Sequence, residues 1–169
     1  VADLYTASNA IVGTPTATSG IRYYSNWATG SAPGADAPYA LTIKRKIEAP
    51  PPIFTDDPAN DFPGLFIERL GWPNVTVIEG QQYRLAFGFK LHLVEKATAN
   101  TRPKEVAHEN ICKLVDNIMA SDKLGLSYLI TVDFQGIDGD TELASYLAVL
   151  HPEYGIGTAN FSVIASCVF

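Results

Sequence analysis

The stretch from Gln82 to Lys96, QYRLAFGFKLHLVEK, constrains the fold more than any other part of the chain. Tyr83, Leu85, Phe87, Phe89, Leu91 and Leu93 fall on every second position, and Arg84, Ala86, Gly88, Lys90 and His92 take the positions between. Alternating side chains point to opposite faces of a sheet, so the pattern predicts a strand with one greasy face and one small, polar or basic face. A half-covered antiparallel sheet is the expectation, with Arg84, Lys90 and His92 turned toward solvent or a partner. The run is about twice the usual strand length of roughly 5 to 6 residues, so it is expected to overhang its sheet or reach a neighbour for assembly.

Beyond Lys96 the apolar period changes from two to 3.6. In TRPKEVAHENICKLVDNIMASDKLG, the residues Val106, Ala107, Ile111, Leu114, Val115, Ile118 and Met119 form one stripe. Thr101 or Arg102 stands at the cap, Pro103 suits the first helical position and Glu105 favours the first turn. This predicts an amphipathic helix lying across the apolar face of the sheet. Shorter strands are expected at 40–47, stopped by Pro50, Pro51 and Pro52, and at 65–70 and 75–79, parted by a turn at Gly71, Pro73 and Asn74. A strand follows at 128–134, and the last is NFSVIASCVF, where Phe161, Val163, Ala165, Cys167 and Phe169 alternate with smaller or polar residues. Between them, GIDGDTELASYLAVL offers a turn, a cap at Asp140 or Thr141, and a short helical spacing through Leu143, Tyr146, Leu147 and Leu150 that an extended segment would also fit. No internal repeat is present. The order implies an α+β layer: a mostly antiparallel sheet with one main helix on one face.

The front of the chain has a different texture. More than half of its first forty residues are Gly, Ala, Ser, Thr or Pro, and only Asp3, Arg22 and Asp36 are charged. Such a segment cannot make its own core, so residues 1–48 read as an extended arm with a first strand, and 49–169 as the α+β core domain. Tyr23, Tyr24 and Trp27 are the expected anchor, docking onto their own domain or onto a neighbouring subunit.

With 169 residues and 47% apolar content, the chain can bury a sizeable core. A net charge of −6 argues against a sequence-independent nucleic-acid binder, and the only dense basic run is Lys44, Arg45 and Lys46. No apolar run approaches the roughly 20 residues that cross a bilayer, so the chain reads as soluble and without a membrane partner. It begins at Val1, which fits removal of an initiator Met or processing. Cys112 and Cys167 are too few to staple a domain of this size and read as buried reduced thiols. The sequons at Asn74 and Asn160 carry little weight without a signal peptide.

Chemistry-bearing motifs fail on inspection. Asp138, Asp140 and Glu142 alternate, but a calcium loop counted from Asp138 would need Gly and Glu where Leu143 and Val149 stand, so a turn and helix cap explain them. Asp56, Asp57 and Asp61 sit among Pro and Asn, where Asp makes turns. His108 and Cys112 share a helix face at metal-ligand spacing, yet nothing recruits His92 or His151 to complete a site. GLSYL, at 125–129, lacks the closing Gly of a nucleophile elbow, and no phosphate loop, dinucleotide fingerprint or HExxH occurs. No catalytic, cofactor-binding or metal-binding residue is assigned.

The run Pro52, Ile53, Phe54, then QYRLAFGFKLHLVEK, HENICKLVDNIM, SDKLGLSYLITV and NFSVIASCVF resembles the tail terminator, or tail completion, proteins of long-tailed bacteriophages. Asp122, Lys123, Leu124 and Gly125 match that family's D-x-L-G turn, and the likeness covers roughly 50–169. The chain departs from the family at the front, where an amphipathic helix is usual and the sequence shows no clear helical stripe. The resemblance implies a virion structural protein without catalysis or cofactor, assembled in the host cytoplasm. Its implied form is a homohexameric ring that caps the tail tube and joins it to the neck or head connector. Its implied partners are its own copies, the tail tube protein, the connector, and genomic DNA passing without sequence-specific binding. An acidic chain suits a channel through which DNA slides. The alternative is a soluble carbohydrate-binding module stacking sugars on Trp27, Trp72 and nearby tyrosines.

Overall fold

In a computed structural model, residues 1–14, 16–25, 39, 41, 43–48, 62–96, 102–138, 145 and 149–168 are described. They form a mixed α/β fold in which strands dominate, with a curled sheet of six strands and three helices. In chain order these are β1 (Ala2–Asp3), α1 (Leu4–Val12), α2 (Ile21–Tyr24), β2 (Arg45–Ile47), β3 (Gly64–Glu79), β4 (Gln82–Lys96), α3 (Pro103–Ala120), a single 3-10 turn (Lys123–Gly125), β5 (Leu129–Asp138) and β6 (Tyr154–Val168).

The sheet runs β1-β6-β4-β3-β2, with β5 also on β6. Because β4 occupies one edge of β6 along its whole length, β5 and β1 share the other edge end to end. The β3/β4, β4/β6 and β5/β6 pairs are antiparallel, whereas the short β1 and β2 pair in parallel. Register places Leu65, Ile67, Leu85, Phe87, Phe89, Leu91, Leu93, Ala159, Phe161, Val163 and Ala165 on one face, all buried. Ile111, Leu114, Val115 and Ile118 of α3 join the same cluster. Two glycines let the helix come down onto β6: a Cβ at Gly157 would lie 2.6 Å from the Ala107 carbonyl, and one at Gly155 would overlap the backbone of Pro103.

The front of the chain departs from the extended arm expected of it. Residues 4–12 are helical, capped by Asp3, whose carboxylate accepts from the Thr6 N–H at 2.8 Å. Ala7, Ile11 and Val12 enter the main core, as do Ile21, Leu41 and Ile43, so the described part of this segment docks on its own chain. Asn117 holds it to α3 by reciprocal bonds, giving its amide N–H to the Tyr39 carbonyl (2.9 Å) and accepting the Tyr39 N–H (3.0 Å). Tyr23 and Tyr24 pack edge to face, and the Tyr24 hydroxyl lies against Gly125. Trp27 lies outside the described residues.

Other boundaries also differ from expectation. The segments at 65–70 and 75–79 are one strand, β3, with a register shift between Leu70 and Asn74. Gly71, at φ 59°, absorbs the irregularity as a bulge, so the expected turn does not form. Of the strand expected at 40–47, the described regular part is β2, and β5 extends four residues past the expected end at Phe134. Between 139 and 150 only Ser145, Val149 and Leu150 are described, and they are helical.

The second face of β4 is not uniformly open. Arg84 is exposed and Lys90 half-buried, but His92 is only 6% exposed and Val94 is buried. Phe62, Phe66, Val94 and Ile156 form a second small core there, joined by Tyr154, whose ring tilts against Phe62 at 5.1 Å. Expecting His92 at a solvent or partner surface was therefore wrong, because alternation fixes which face a residue takes and not what covers that face.

Candidate functional site

Three features stand out. The first is a row of polar side chains across the second face of the sheet. Glu68 on β3, Lys90 and His92 on β4, Thr158 and Asn160 on β6, and Asp138 on β5 are neighbours by register. His92 Nε2 meets Glu68 Oε2 at 2.9 Å, and Nδ1 meets Thr158 Oγ1 at 3.2 Å. Asn160 donates to Asp138 at 3.0 Å, and Lys90 Nζ lies 3.8 Å from the same carboxylate. Burial pushes the His92 imidazole below its ordinary range, against the pull of Glu68 in the other direction. With both ring nitrogens engaged, the neutral ring is held in place and presents no free nitrogen for proton transfer. This row knits four strands together.

The second feature is the overhang. β2 pairs with β3 only at Gly64, Leu65 and Phe66, so from Ile67 to Glu79 the outer edge of β3 has no strand partner among the described residues. Along it Val75 is 50% exposed, Val77 65% and Ile78 43%. Open edges are normally short or charged, because their unpaired N–H and C=O groups and apolar side chains invite another chain. On the opposite side of the sheet, β5 likewise has an outer edge with no partner among the described residues.

The third is a groove of about 390 Å³ at the base of this overhang, between Leu4, Tyr5 and Ser8 of α1 and Arg69, Leu70, Phe87 and Phe89 of the sheet. Tyr5, 79% exposed, stands at its rim. The terminal nitrogens of the Arg69 guanidinium in its wall are engaged: Nη1 donates to Ser8 Oγ, and Nη2 donates to Asn9 Oδ1 at 3.0 Å and to Glu48 Oε2 at 3.0 Å, while Nε is buried beside Glu48 as an ion-pair contact. Apolar contact is what this groove offers.

The sequence candidates fare as follows. Asp138 belongs to the polar row, while Asp140, Glu142, Asp56, Asp57 and Asp61 lie outside the described residues, as does the Trp72 side chain. Cys112 is exposed on α3, not buried as expected; it is one residue past Ile111, about 100° around the helix from the core stripe. Cys167 is buried. Among the described residues no three His, Cys, Asp or Glu side chains converge as metal ligands. Ser127 is exposed in the approach to β5. No described helix is long and apolar enough to cross a membrane. The polar row was missed because its members come from four strands. The available signal was the i, i+2 spacing of Lys90 with His92 and of Thr158 with Asn160, which register alone brings side by side.

No protein-family model matches the chain, and no curated protein matches it.

Proposed function

We propose that this chain is a virion assembly protein of the tail terminator kind, a subunit whose copies close into a ring at the end of a phage tail tube and join it to the neck. The observation that carries this reading is the overhang of β3, an edge with no strand partner among the described residues and with apolar Val75, Val77 and Ile78 exposed along it. A closed ring needs heterologous contacts between two different surfaces of one subunit. The sheet offers two: the outer edge of β3 on one side and that of β5 on the other. β3 and β6 both run antiparallel to β4, and β5 runs antiparallel to β6, so these two edges have opposite directions. Continuing the sheet from one copy to the next would form an antiparallel pair, with main-chain bonds as the adhesive.

The finer layout supports the same reading. In this reading α3 would be the main helix of the layer, and α1, at Leu4–Val12, would stand where such phage proteins open with a helix. The acidic net charge suits a channel that lets DNA pass without adhesion. A ligand-binding module is favoured by one observation, the groove beside Tyr5. A sugar, however, needs several free polar partners, and the Arg69 guanidinium there is already engaged.

The test is a Val75→Lys/Val77→Lys variant, compared with wild type by native mass and thermal unfolding. The reading predicts lost self-association at unchanged thermal stability, because both side chains are at least half exposed. Association equal to wild type would refute the role given to this edge.

A further inference from the structure

The outer edges of β3 and β5 carry matched side chains on both faces of the sheet. On the core face, Val75 and Val77 of β3 pair with Leu85 and Tyr83 of β4, and both valines are at least half exposed. The core-face residues of β5 are Val132 and Phe134, paired with Val163 and Phe161 of β6. Phe134 keeps its ring against Phe161, with centroids 5.6 Å apart, and is still 39% exposed. On the second face, Arg84 stands behind Thr76 of the β3 edge, and Asp133 stands on the β5 edge; both are exposed. One edge therefore offers apolar side chains and a cation, and the other offers an aromatic ring and a carboxylate on the corresponding faces.

A sheet continued from one copy to the next keeps its faces, so core-face residues of β5 must stand opposite core-face residues of β3. Within that condition the charges choose the register. With Asp133 opposite Thr76, the carboxylate lies two strands from Arg84, about 10 Å, across a small threonine that the long arginine side chain can pass over. The same antiparallel register sets Phe134 opposite Val75 and Val132 opposite Val77. It also aligns the irregularities: β5 shifts between Phe134 and Gly136, and β3 shifts between Leu70 and Asn74, so both strands leave regular pairing at the same end. At that end the groove opens beside Phe87, the next core-face residue along β4 from Leu85. An aromatic side chain reaches such a diagonal neighbour.

We infer that the groove beside α1 is the seat for Phe134 of a second copy of this chain, with Arg84 and the second copy's Asp133 fixing the register on the opposite face. The inference rests on the ring reading and names the contact that makes it specific. The groove suits a ring: an apolar cavity of about 150 Å³ already takes benzene, and this one offers about 390 Å³ walled by Leu4, Phe87 and Phe89. Tyr5 at its rim gives the incoming ring a further aromatic neighbour.

The experiment is native mass over a concentration series for wild type, Arg84→Glu, Asp133→Arg and the double variant Arg84→Glu/Asp133→Arg, each checked by a thermal melt. Each single reversal sets like charges against one another and is expected to raise the concentration of half-assembly by about tenfold or more. The double reversal restores the attraction and is expected to return within about threefold of wild type. Phe134→Ala is expected to weaken assembly by about tenfold as well, with its melt reporting what is lost against its own Phe161. The apolar dye ANS reads the groove: its fluorescence should be high with dilute wild type and fall as mass rises. A double reversal no better than the singles, or Phe134→Ala assembling like wild type, would overturn the inference. So would dye retained by the assembled chain, which would mean that the groove takes a free apolar ligand instead. Wild type that stays monomeric sinks the ring reading and this inference together, whereas wild type that assembles without rescue by the double reversal sinks this inference alone.

Discussion

Replacing Gly157 by alanine tests how α3 is seated. The added Cβ would stand 2.6 Å from the Ala107 carbonyl oxygen and 2.8 and 2.9 Å from Cγ2 and Cβ of Ile111. Optimal contacts between carbon atoms lie at about 3.5–4.0 Å, so the helix must retreat by roughly 1 Å. The obstacle is helix backbone and a β-branched side chain, neither of which can swing aside. Retreat would also loosen the contacts that Ile111, Leu114 and Ile118 make in the main core. Because the obstacle cannot yield, the cost belongs in the upper part of the overpacking range, about 2–3 kcal/mol, and relief of glycine's backbone entropy returns roughly 0.5–1 kcal/mol, leaving about 1–2.5 kcal/mol. At about 2–4 °C per kcal/mol for a chain of this size, Tm is expected to fall by about 2–10 °C. Urea denaturation should show a lower midpoint at unchanged slope. Gly88→Ala is the control: its Cβ would meet Leu70 Cβ at 3.2 Å and nothing else closer than 3.6 Å, and Leu70 stands where β3 has no outer strand partner among the described residues and begins to bulge, so a backbone shift of a few tenths of an ångström relieves the contact and a change below about 1 kcal/mol is expected. If Gly157→Ala is as stable as wild type, or no worse than Gly88→Ala, the packing argument is wrong.

Three further outcomes are expected. Burial holds the folded His92 pKa below its unfolded value, so the unfolded chain takes the proton first and stability falls as pH drops below about 6.5; His92→Gln should flatten this slope, and equal slopes in urea melts between pH 7 and 5 would count against it. Burial raises the Glu95 carboxyl, opposed by the 2.8 Å bond from Asn110, so its contribution is full below the unfolded pKa and lost as pH rises through the folded one; Glu95→Gln should stabilise at pH 7 and lose that advantage near pH 4. In a thiol-reagent time course on the native protein, Cys112 should react at once and Cys167, buried and with its pKa raised mainly by desolvation, only on unfolding; two fast thiols would contradict the burial of Cys167.

What was legible in the sequence followed from strong periodicity. β4 begins and ends at Gln82 and Lys96 because six large residues alternate without interruption, and β6 shows the same pattern from Phe161 onward. The helix beyond Lys96 starts at Pro103, where its cap signals placed it. What was hidden depends on small residues and on register. The core-facing side of α1 includes an alanine, Ala7, so its stripe disappears into an Ala- and Thr-rich background. Gly71, Pro73 and Asn74 spell a turn, yet pairing with β4 on both sides carries β3 through them as a bulge. Neither the burial of His92 nor the meeting of Arg22 with Lys46 is local: each depends on elements brought together by the sheet, separated in sequence by 24 positions for His92 and Glu68 and 24 for Arg22 and Lys46.

The central claim is that copies of this chain close through two different edges of one sheet. The most direct measurement is native mass over a concentration series, with negative-stain images of the same samples. Closed rings of one fixed mass are predicted, with their population rising with concentration. A clean monomer at every concentration, with an empty field in stain, would contradict the account.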